Sequence, residues 1–184
     1  KQGDCHYILA GYPWFKCRAR DLFVSLPGLT LAIDEPEEFE DVMETAQKTL
    51  RCYMNNIPVD CKIYELDDPD VLLWAVWALQ QYAKETTREK CRIKYGDLLL
   101  EIIDFIRKGK HNNLFLHENG LLYTHGANKP VTWMNSTIDG HPVIPRTGYV
   151  VEVNALWYNA LRFVADMLRE DENPSLADTL DALA

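Results

Sequence analysis

The chain has 184 residues, 47% of them hydrophobic and 26% charged, a globular balance that allows a sizeable core and excludes disordered and low-complexity classes. Lys and Arg number 19 against 28 Asp and Glu, so the net charge of −9 repels phosphate backbones and anionic lipid, and neither nucleic acid nor membrane is an expected partner. No apolar run approaches the roughly 20 residues of a spanning helix. The five cysteines, Cys5, Cys17, Cys52, Cys61 and Cys91, form no CxxC pair and read as free thiols suited to a reducing, cytoplasmic compartment.

In chain order, Asp34-Glu-Pro-Glu-Glu offers a helix cap, and Phe39, Val42, Met43, Ala46 and Leu50 follow at helical spacing, which predicts a helix to about Met54, ended by Asn55, Asn56 and Pro58. Asp68 before Pro69 starts a second helix, in which Val71 to Leu79 is apolar at nine consecutive positions and buried on most of its circumference. A third runs through Tyr95, Leu98, Leu99, Ile102, Ile103 and Ile106 to Lys108 and Gly109. Leu114 to Leu116 and Leu121 to Tyr123 flank His117-Glu118-Asn119-Gly120, a hairpin signal. Prolines and glycines keep residues 126–149 in a long loop, a length that is usually functional. Val153, Leu156, Trp157, Ala160, Leu161, Val164 and Leu168 restore a long helix, and Asn173-Pro174-Ser175 starts the last. The fold class is all-α: about six helices with long loops and a small β-hairpin.

Three stretches gather aromatic and polar residues outside these helical stripes. In Gly11 to Asp21, Trp14 and Phe15 precede Arg20-Asp21. This is either a capped helix start with a hydrophobic staple, or flat rings and a charged pair that hold a sugar. In Thr132 to His141, continued by Pro145-Arg146, the pair Asp139-Gly140 is either a turn or a catalytic carboxyl in a turn. In Glu152 to Leu161, Glu152 and Asn154 stand at a helix start, where acids complement the helix dipole. His117, His125 and His141 lack metal-ligand spacing, so no metal or cofactor is expected.

Taken in order, Gly-Tyr-Pro-Trp-Phe with Arg-Asp, Leu-Pro-Gly-Leu, Asp70 opening Leu-Trp-x-x-Trp-Ala-Leu-Gln-Gln-Tyr, Thr-Trp-Met, Pro-Arg-x-Gly and Val-Glu-Val-Asn-Ala-Leu-Trp-Tyr-Asn-Ala-Leu resemble the catalytic domain of bacterial glycogen debranching enzymes, from about residue 7 to 169. The resemblance implies an amylo-α-1,6-glucosidase built on an (α/α)6 toroid like that of glucoamylases. Such an enzyme hydrolyses α-1,6 branch stubs of glycogen or limit dextrin with inversion. Inversion needs a protonated acid and a carboxylate base roughly 6.5 to 9.5 Å apart. Relatives carry Asp after Thr-Trp-Met at the position of the acid. This chain carries Asn135, whose amide cannot donate a proton as a carboxylic acid does, and the nearest carboxyl, Asp139, is the candidate acid.

By the same resemblance, Arg20 and Asp21 hold the hydroxyls of the terminal glucose, Trp14 and Trp133 are ring platforms, and Asp70, Arg146, Glu152 and Asn154 line or brace the rim. Maltooligosaccharides are expected ligands too. The family's base lies in a Glu motif further along, and nothing after residue 169 resembles it. A twelve-helix toroid needs more chain than 184 residues, and both ends look cut. Residues 1–184 are thus expected to form one unit, the N-terminal to central portion of the barrel, inactive alone and able to self-associate through the open face. The alternatives are a non-catalytic carbohydrate-binding segment, or an (α/α)6 α-glucosidase of the glucoamylase or trehalase type. A purely structural helical domain, its aromatics all core, is the third reading.

Overall fold

The structure is a computed structural model of the chain, described here for residues 3–58, 62–126, 129–170 and 174–184. Cys61 and Asn173 lie outside the described residues. The described residues hold six α-helices and three two-stranded pairs, the mostly helical fold with a small hairpin that the sequence predicts. None of the helices is long and apolar enough to cross a membrane. The chain divides into two compact units, Lys1–Leu66 with Trp74–Leu98, and Asp67–Leu73 with Leu99–Ala184.

In the first unit, β1 (Cys17–Arg18) pairs in parallel with β2 (Ile63–Tyr64), and β1 leads directly into α1 (Ala19–Leu29). Helix α1 buries Leu22, Phe23 and Leu26 and carries Pro27 internally. Near its end the Thr30 hydroxyl donates to the Leu26 carbonyl at 2.7 Å. Helix α2 (Pro36–Met54) begins with proline at its first position, where the missing N–H costs nothing. Asp34, expected to cap it, instead closes the preceding 3-10 turn in a left-handed conformation (φ 63°), and Glu35 takes the cap position without a side-chain bond. The predicted stripe of Phe39, Val42, Met43, Ala46 and Leu50 is buried. At the far end the Asn55 amide donates to the Arg51 carbonyl at 2.8 Å, a local side-chain bond that competes with continuing the helix.

Helix α3 (Val71–Glu85) starts two residues later than Asp68-Pro69 suggests, because the Asp68 carbonyl accepts the Val71 N–H in a turn at 3.2 Å. Its apolar run is buried except at Trp74 and Trp77, which are half-buried and meet edge-to-face at 5.4 Å. Tyr82 stacks on Phe39 at 4.9 Å and meets Tyr95 of α4 (Arg88–Arg107) edge-to-face, offset and T-shaped geometries that the ring quadrupole favours. The Tyr82 hydroxyl, Lys90 and Lys94 converge on the half-buried Glu40. Its carboxyl is penalised by burial, yet these three donors outweigh that cost and pull it down to about 2.

The second unit is organised by α5 (Val151–Glu170), which buries the predicted stripe and packs on α6 (Pro174–Leu183). Arg162 reaches Asp181 at 2.6 Å, and Arg169 reaches Asp178 and Asp181. The hairpin of β3 (Leu114–Leu116) and β4 (Leu122–Thr124) forms where the sequence predicts it, with its second strand one residue later. Gly120 there has φ 80°, a left-handed value that glycine takes without strain. Within the predicted loop a further pair forms, β5 (Thr137–Ile138) with β6 (His141–Pro142), joined by Asp139 at φ 51° and Gly140 at φ 80°. Two consecutive left-handed residues in a two-residue link make a type I′ turn, for which Asp-Gly is the favoured sequence.

Candidate functional site

The start of α5 and the loop before it form a polar cluster in the second unit. Trp133 is 61% exposed, and its indole N–H donates to the Glu152 carboxylate at 3.0 Å. Arg146 donates to the same carboxylate oxygen through Nη2, and its Nη1 lies 3.1 Å from the Met134 sulfur. Partial burial works against a charge on Glu152. Its own backbone N–H, the Trp133 indole and the Arg146 guanidinium overcome that cost and hold the carboxyl below the usual range, so it is ionised at neutral pH. Such a group accepts hydrogen bonds and is the wrong form to donate a catalytic proton. Beside the cluster Trp133, Met134, Asn135, Ser136, Val143 and Ile144 line an open cleft of about 270 Å³.

Asn154 braces this site from behind. Its amide accepts the Leu122 N–H at 2.8 Å and donates to the carbonyls of Leu122 and Val150 at 3.0 Å, tying the hairpin to the first turn of α5. An amide engaged on three backbone groups is a brace and leaves little to offer a ligand. Asp70 is buried immediately before α3. Asp139 sits at the exposed tip of the type I′ turn, and Asn135 is exposed on the cleft wall.

The other expected residues belong to the first unit. Trp14 is 81% and Phe15 56% exposed, with the Phe15 ring against Gly11, so the hydrophobic-staple alternative does not hold: neither ring is packed into the core. Arg20 is buried on α1, while the adjacent Asp21 is exposed in its first turn with the Arg18 guanidinium 3.7 Å away. Consecutive helical residues point about 100° apart, which separates the two side chains that the sequence pairs. Arg18 bonds Glu65 at 2.7 Å as well. Trp157 of α5 is buried and donates to the Gly120 carbonyl at 3.2 Å, whereas Tyr149 and Tyr158 are exposed.

Sequence reasoning missed several participants. Met134, Val143 and Ile144 are ordinary loop residues until the cleft assembles. His117, stacked on Tyr123 at 5.2 Å and 2.7 Å from the Tyr149 hydroxyl, builds an aromatic group from residues 32 positions apart. In the first unit His6, Glu38 and Asp41 offer ligand atoms within 4.8 Å of one another. Two simpler effects account for that grouping: His6 and Asp41 make an ion pair at 3.1 Å when the imidazole is protonated, and acids in the first turns of α2 complement the helix dipole. Cys17 and Cys91 are buried, Cys5 and Cys52 half-buried, and none of the four is in a disulfide.

An exposed indole ring and a guanidinium from the loop and an ionised carboxylate from the first turn of α5 stand together beside an open cleft, and the family comparison gives the class of this mostly helical chain, a glycoside-hydrolase domain of the glycogen-debranching kind. The model of the family Amylo-alpha-1,6-glucosidase matches residues 1–179, nearly the whole chain, and the chain belongs to that family. The resemblance drawn from the ordered motifs is thereby borne out. No curated protein and no solved structure matches the sequence.

Proposed function

We propose that the chain serves inverting hydrolysis of α-1,6-linked glucose stubs in glycogen or limit dextrin, as the sugar-binding part of an (α/α)6 catalytic barrel. The observation that carries this reading is the convergence of Trp133, Arg146 and Glu152 beside the cleft. The indole face stacks on the apolar face of a glucose ring, and the spare carboxylate and guanidinium capacity meets its hydroxyls. Trp14 and Asp21 are proposed as further sugar contacts in their own unit, and the buried Arg20 and Asp70, with Asn154, as braces. Asp139 is proposed as the general acid. The family's base is expected in a Glu motif beyond those matched here, so sugar binding and protonation are the roles assigned to this chain.

A second reading, a carbohydrate-binding segment without turnover, is favoured by one observation: the position after Thr-Trp-Met holds the amide of Asn135. Glucose release from limit dextrin separates the two readings. In the full-length parent, Asp139→Asn abolishes release if Asp139 is the acid, and a retained rate removes it from that role. Turnover by the chain alone would overturn the assignment of the base elsewhere.

A further inference from the structure

We propose that Thr124, buried behind the cluster on β4, is the positioning residue that sets Arg146 and, through Glu152, the Trp133 platform. Its own side chain faces backbone and not the cleft. The Thr124 hydroxyl donates to the Arg146 carbonyl at 2.6 Å, and the Gly148 carbonyl lies 3.1 Å from the same oxygen. Its backbone pairs with Gly148 in both directions, at 2.9 and 3.0 Å. The Gly126 N–H donates to the Thr147 hydroxyl at 3.0 Å and pins the intervening residue.

What this grip holds is an unfavourable backbone. Arg146 has φ 55°, a left-handed value that a long side chain seldom takes, and Gly148 follows at φ 125°. A residue stays in such a conformation only when its surroundings over-determine it. The buried hydroxyl is one of those constraints, because without it the Arg146 carbonyl loses its nearest donor and the peptide is free to turn. Turning the backbone at residue 146 swings the guanidinium away from Met134 and Glu152, and Glu152, no longer oriented by Arg146, releases the indole N–H to solvent.

The inference rests on the proposed sugar site for its consequence but not for its geometry, and the test separates the two. The position of the Trp133 indole N–H resonance, assigned by its loss in Trp133→Phe, reports the bond to Glu152 without any sugar. A maltooligosaccharide titration reports the function. Thr124→Ser keeps the hydroxyl and leaves both readouts at wild-type values. Thr124→Val keeps the volume, moves the indole resonance towards that of a solvent-exposed tryptophan and weakens sugar binding about fivefold, the size of one lost neutral hydrogen bond. If Thr124→Val does not fold, Thr124→Cys, a weak donor in similar space, gives an intermediate shift. A fall in melting temperature with an unmoved indole resonance overturns the proposal, since it makes Thr124 merely structural. An indole shift in a protein whose wild type binds no maltooligosaccharide supports the positioning role and rejects the sugar reading.

Discussion

The indole N–H of Trp133 and the Nη2 of Arg146 donate to one and the same oxygen of Glu152, which joins an exposed ring, a cation and an anion in one hydrogen-bonded group. Glu152→Gln keeps an acceptor of similar shape but removes the charge that Arg146 faces. Maltooligosaccharide affinity is predicted to fall about tenfold, in line with the loss of a charge-assisted bond. Titration calorimetry on the two proteins checks it, and equal affinities would exclude the group from the site.

Asn154→Ala removes two side-chain bonds that join the hairpin to α5 and a third to the Val150 carbonyl. The Leu122 N–H and carbonyl are left without their partner, and stability is predicted to drop by about 2 kcal/mol. Asn154→Asp, which retains the acceptor alone, falls between Ala and wild type. Denaturant unfolding followed by circular dichroism measures both.

Acid destabilisation is predicted to occur in two windows. His111 is almost fully buried, and its Nδ1 accepts the Asn113 N–H at 3.0 Å. Burial pushes the imidazole down to about 4 from its ordinary 6.5. The unfolded chain therefore binds the proton first, and the neutral ring's contribution, complete above pH 6.5, is lost as pH falls towards 4, at most about 3 kcal/mol. Glu40, held at about 2, contributes stability that is present above pH 4.5 and lost as pH falls through that lower range. His111→Asn flattens the first slope and Glu40→Gln the second, as read from unfolding free energies at a series of pH values.

Asp139→Asn is predicted to leave the fold intact. Both residues tolerate the left-handed φ of 51° that the type I′ turn requires, and Asn-Gly suits that turn as well as Asp-Gly does. Melting temperature is expected to stay within the change given by about 0.5 kcal/mol. Any loss of glucose release in the parent is then chemistry, and a large loss of stability would void that reading.

The sequence made legible what depends on local periodicity. The stripes of α2 and α5 and the His117–Gly120 turn were fixed by spacing and turn chemistry, and the structure follows them to within a residue or two. Start points failed where backbone bonds override caps, as at Asp34 and at Asp68. The Asp139-Gly140 hairpin was signalled by its turn, but Thr137-Ile138 and His141-Pro142 are too short and too mixed to read as strands. For the site, residue types and their grouping were legible from ordered motifs, while the partners were not. Nothing in spacing says that Arg146 bonds Glu152 and Met134, that Asn154 spends its amide on Leu122, or that Arg20 is buried while Asp21 is exposed. Those facts depend on contacts between segments, which one sequence does not encode in any local pattern.

The central claim is that the exposed Trp133 ring is a sugar platform, and one titration tests it most directly. Maltooligosaccharide added to the Trp14→Phe chain and to the Trp14→Phe, Trp133→Phe double variant, followed by tryptophan fluorescence, is predicted to give a saturable change in the first that is absent from the second. A Trp14→Phe chain that shows no saturable change, or one that the double variant reproduces, would contradict the account.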